Sequence, residues 1–79
     1  MSPGIGLMKK RIPTEKEAIP LAVSGIIKKY SVIANQIKTL ETKYDNDCGD
    51  WYVALGFNEK RVIVKMDSVL GTITDITEI

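Results

Sequence analysis

The side chains able to do chemistry are few and poorly placed for catalysis. The single cysteine, Cys48, lies within Asp45-Asn46-Asp47-Cys48-Gly49-Asp50, and the chain contains no histidine. One cysteine excludes an intrachain disulfide and a CxxC knuckle. Acidic neighbours oppose formation of a thiolate. Without histidine the commonest general base and metal ligand is missing, as is every Ser-His or Cys-His pair. Only carboxylates, Lys and Tyr remain for acid–base work, and no GxGxxG, GxxxxGK[ST] or HExxH motif is present. Asp45, Asp47 and Asp50 could offer hard oxygens to Ca²⁺. An EF-hand loop, however, needs Gly at its sixth position and Glu at its twelfth, and counted from Asp45 these are Asp50 and Gly56. The segment therefore reads as a solvated turn. The expectation is a non-enzyme with no catalytic residues, metal or cofactor.

One constellation suits binding. Trp51–Met66 reads as a β-hairpin with a two-residue loop at Asn58-Glu59, which sets Phe57 opposite Lys60. Pairing back from the loop sets Leu55 against Val62, Val53 against Val64 and Trp51 against Met66, all on one face. The other face receives Gly56 with Arg61, Ala54 with Ile63, and Tyr52 with Lys65. A one-residue slip would turn the apolar set to solvent, so the register is well specified. Tyr52, Arg61, Ile63 and Lys65 thus form the candidate interaction face, half apolar and half cationic.

Composition sets the frame for that face. Seventy-nine residues, 44% hydrophobic and 27% charged, fit one small globular domain. A core of this size supplies only ~3–5 kcal/mol. A net charge of +1 gives no global field toward nucleic acid or anionic membrane. No apolar run approaches the ~20 residues of a membrane helix. The start lacks the charge order and apolar length of a secretory signal, so a cytoplasmic setting is expected.

Residues 1–12, with Pro3, Gly4, Gly6 and Lys9-Lys10-Arg11, read as a flexible tail, in preference to a nucleic-acid arm. The domain then covers 13–79. Thr14 and Glu17 form a capping box. Ile19, Val23, Ile26, Ile27 and Tyr30 recur at helical spacing. Pro20 implies either a kink or a helix that begins near Ala18. Gly25 is expected to face the sheet, where a missing side chain permits close approach.

The segment 31–44 fits two patterns. Ile33, Ile37, Leu40 and Tyr44 follow helical spacing with Ser31 as a cap, whereas Leu40, Thr42 and Tyr44 alternate as in a strand. Strand is preferred for Ile37–Tyr44, because the hairpin needs a third strand to be stable. Asp67–Gly71 reads as a turn and Thr72–Thr77 as a last strand. The expected fold is α+β: one N-terminal amphipathic helix packed on a three- to four-stranded antiparallel meander. Trp51, Val53, Leu55, Val62, Val64 and Met66 would meet Val23, Ile26 and Ile27.

Glu17-Ala18 and Ala22 on the helix, then Gly49-Asp50-Trp51-Tyr52-Val53, Val62–Asp67 and Gly71-Thr72-Ile73, resemble a PepSY-type domain over about residues 14–76. Leu70 stands where that family usually has Thr. The resemblance implies a small non-catalytic interaction module and transfers no functional residues. The expected partner is a protein or a second copy of the chain. Nucleic acid on the Tyr52, Arg61 and Lys65 face is the less favoured alternative, and no membrane partner is expected.

Overall fold

The computed structural model describes residues 11–79. The chain runs α1 (Glu15–Tyr30), a 3₁₀ turn (Ala34–Gln36), β1 (Lys38–Asp45), β2 (Asp50–Phe57), β3 (Lys60–Asp67) and β4 (Thr72–Glu78). The strands form one antiparallel sheet in the order β1-β2-β3-β4, with α1 packed across one face. This is the expected α+β fold.

Local chemistry explains the boundaries. Thr14 Oγ1 accepts from the Lys16 N–H at 3.2 Å, and the Glu17 carboxylate accepts from the Thr14 N–H at 3.1 Å. The helix runs unbroken from Glu15 through Pro20, so it does not begin near Ala18. Pro20 leaves the Lys16 carbonyl without its helical partner, but both residues are exposed, so water can satisfy it. Lys28 and Lys29 occupy the last turn, and Ser31 ends the helix in the left-handed region at φ 58°. Asn58 and Glu59 both have positive φ, at 48° and 63°, which fits a type I′ hairpin turn.

The β2–β3 register is the one read from the sequence, from Phe57↔Lys60 through Leu55↔Val62 and Val53↔Val64 to Trp51↔Met66. Strand, not helix, is also observed for the ambiguous segment, with Thr42↔Val53 and Tyr44↔Trp51. Leu40 departs from the expected alternation. A bulge between Thr39 and Glu41 leaves it unpaired, and it lies over Gly56, where an added Cβ would sit 3.4 Å from Leu40 Cδ1.

The core lies between α1 and the sheet. Val53, Leu55, Val62, Val64 and Met66 are fully buried. On the helix the fully buried residues are Ala18, Ala22 and Ile26, while Val23 and Ile27 are half-buried. The expected contact stripe was thus bulkier than the real one. Small side chains four residues apart bring the helix axis close to the sheet and push its larger residues to the flanks. Gly25 meets β4 as anticipated, since a Cβ there would overlap Ile73 Cδ1.

Most of the expected tail lies outside the described residues, but its last residue, Ile12, belongs to the core at 3% exposure. Its N–H donates to Ser68 O at 3.0 Å, and its carbonyl accepts from Trp51 Nε1 at 2.7 Å. The indole therefore ties the segment before the helix to the sheet.

Candidate functional site

The face of the sheet opposite α1 carries the candidate residues. Tyr52 and Ile63 are half-buried, Arg61 is exposed, and Lys65 is half-buried. Strand pairing places them in successive cross-strand rows, because directly paired residues point to the same side. Ala54↔Ile63 forms the centre, Tyr52↔Lys65 the row toward the β1–β2 turn, and Gly56↔Arg61 the row toward the β2–β3 turn. All four sequence-derived residues therefore share one face.

Lys65 is already engaged. Its Nζ lies 3.7 Å from Asp50 Oδ2 and 6.0 Å from the Tyr52 ring centroid. The ammonium thus lies over the ring and beside the Asp50 carboxylate, which reduces the cation's availability to an outside anion. A shallow depression of about 240 Å³ lies beside this pair, lined by Glu41, Lys43, Tyr52, Ala54 and Ile63. Its floor is apolar and its rim carries the Lys43–Glu41 ion pair at 3.3 Å.

Strands β1 and β4 complete the rows, and their contribution was not legible beforehand. At one end Asp45↔Asp50↔Asp67 runs across three strands. At the other end the row is Lys38↔Gly56↔Arg61. Leu40, 52% exposed, lies over the glycine between the two cations. The face therefore has an acidic end, an apolar middle and a basic end. Asp45 Oδ1 accepts from the Asp47 N–H at 2.9 Å, and Asp67 Oδ1 from the Val69 N–H at 2.9 Å. These carboxylates brace the turns that end β1 and β3.

The helix side offers two perturbed groups, neither on this face. Tyr30 donates to Glu78 Oε2 at 3.1 Å, and partial burial together with that carboxylate pushes its pKa above the ordinary value. Glu17 is held below the usual carboxylate range by its hydrogen bond from the Thr14 side chain. Both serve structure: one ties α1 to β4 and the other caps α1. Cys48 is exposed in the β1–β2 turn. Among the described residues no group of His, Cys, Asp and Glu is arranged to hold a metal ion, and no helix is long and apolar enough to cross a membrane.

The chain matches no protein family, no curated protein and no solved structure.

Proposed function

We propose that the protein is a small non-enzymatic interaction module that docks a protein partner on the open face of its sheet. The observation that carries this reading is the apolar centre of that face. Ala54, Ile63 and the Tyr52 ring lie on the side α1 leaves uncovered, and Leu40 extends the patch toward the basic end. A sheet with one face packed and the other carrying large apolar groups gains by covering the second. The absence of histidine and the acidic setting of Cys48 weigh against a catalytic role. The resemblance to PepSY-type domains implies the same class of module.

Nucleic acid is disfavoured by charge. Of the cations on the open face, Lys65 is paired with Asp50 and Lys43 with Glu41, and Lys38 and Arg61 alone make up the basic end. A nucleic-acid surface would present them as an unbroken basic patch.

The test is capture from the native source with wild-type, Ile63→Glu and Lys65→Glu chains as bait. The reading requires a protein held by the wild type and lost with Ile63→Glu, while helix content is unchanged. Oligonucleotide retention with a steep salt dependence would replace it with the nucleic-acid alternative.

A further inference from the structure

We infer that the occupant of the open face is a second copy of this chain, docked with its strands antiparallel to the first about a two-fold axis that runs across the strands. This rests on the docking role proposed above and commits it to one partner. The argument is charge complementarity, read row by row. Such an axis lays each strand over its own copy and reverses the rows. Asp45 of one protomer then faces Lys38 of its partner, Asp67 faces Arg61, and Lys43 faces Glu41. Tyr52 meets Ala54 and Ile63 meets Lys65 at the centre, and Asp50 faces Leu40, which lies over Gly56. Each pairing occurs twice, as a self-complementary interface requires. The other face-to-face arrangement, with the axis along the strands, sets Asp50 against Asp67 and Arg61 against the Leu40 that covers Gly56. Packed sheets keep their strand directions within ~30° of each other, so the central rows stay aligned while the end rows, ~10 Å from the axis, shift sideways by up to ~5 Å, a distance the long Lys38 and Arg61 side chains can span.

Size sets the strength. Four strands ~4.8 Å apart and eight residues long span a face of ~19 by ~27 Å. That lies below the ~800 Å² per partner of a standard stable interface, so the dimer is weak and exchanges between copies.

The chain carries its own reporter. Cys48 is exposed and sits at the acidic end of the face, a strand's length from the Asn58-Glu59 turn. A nitroxide-labelled chain of natural isotopic abundance is mixed with unlabelled ¹⁵N-enriched chain, and amide broadening on the latter is read as concentration rises. The antiparallel dimer broadens residues 58–61 of the partner and spares 45–50. Broadening centred on 45–50, broadening without a focus, or none at ~1 mM with a monomeric sedimentation profile overturns the inference.

A second arm uses Lys43 and Glu41, whose side chains are 74% and 61% exposed, so that substitution there should leave the fold intact. Lys43→Glu and Glu41→Lys should each weaken self-association on the order of tenfold, and their mixture should recover it. Singles that associate like wild type, or a mixture that does not recover, contradict the pairing. A monomer that still loses a captured partner on Ile63→Glu removes the second copy but keeps the docking face; if neither is seen, the docking reading fails too.

Discussion

Replacing Trp51 and its sequence neighbour Tyr52 by alanine separates the two faces of the sheet. Trp51 is 9% exposed, its ring lies 4.9 Å from that of Tyr44, and its Nε1–H reaches Ile12 O at 2.7 Å. Emptying that site should cost ~3–5 kcal/mol. Part of the cost is the stranded Ile12 carbonyl, a buried acceptor worth ~1–3 kcal/mol when left unpaired. Tyr52 is half-buried on the open face and loses mainly its contact with Lys65, so Tyr52→Ala should cost about 1 kcal/mol or less. With a core that supplies only ~3–5 kcal/mol, the first change removes most or all of the stability and the second little. Urea titration followed by far-UV circular dichroism reads both, since Trp51→Ala removes the only tryptophan. With a slope of about 1 kcal/mol per molar urea, the midpoint should fall by ~3 M or more for Trp51→Ala and by under ~1 M for Tyr52→Ala. Trp51→Phe keeps an aromatic ring and removes the donor, so it should fall between them. Equal shifts for the two alanine variants would refute the register. A Trp51→Phe chain as stable as wild type would refute the anchoring of Ile12.

Three further outcomes follow from local geometry. Glu59 adopts φ 63° in a type I′ position that favours glycine, so Glu59→Gly should raise stability by about 0.5–1 kcal/mol in the same titration; a loss would mean the turn is of another type. Gly25→Leu should destabilise by ~1–3 kcal/mol because its side chain enters the space held by Ile73 and Ile76, whereas Gly25→Ala should be mild, the gain in helix propensity offsetting displacement of the Ile73 δ-methyl. Tyr30 has its pKa raised in the folded state, so its contribution is complete below the unfolded value of about 10 and fades as pH climbs through the raised one. Tyr30→Phe should therefore lose stability less steeply than wild type in alkaline buffer, and identical slopes would exclude the Tyr30–Glu78 link.

The strand alternation over Trp51–Met66 made one register and two faces readable directly, because a period of two leaves a single pairing that buries Trp51, Val53, Leu55, Val62, Val64 and Met66 on one side. Gly25 was readable for a similar reason, since a glycine inside an amphipathic helix needs a close neighbour to justify it. Ile12 was hidden. It is one apolar residue among polar and proline neighbours, and its place depends on an indole donor 39 positions away. Ala18 and Ala22 were overlooked because a small side chain adds little to an apolar stripe even where it marks the closest contact. No residue type announces the bulge at Leu40, yet that bulge decides which face receives it and which residues of β1 join the rows. The four site residues could thus be placed on one face, while the acidic and basic ends could not. Those ends depend on pairings across strands whose register only the folded sheet defines.

The docking role of the open face is tested most directly by side-chain methyl NMR as protein concentration rises from about 10 μM to about 1 mM, or as a captured partner is added. The account predicts saturable shifts at the methyls of Ile63 and Ala54, with those of Val53, Val64 and Ile26 on the helix side unmoved. Shifts confined to the helix side, or an open face silent under both conditions, would contradict it.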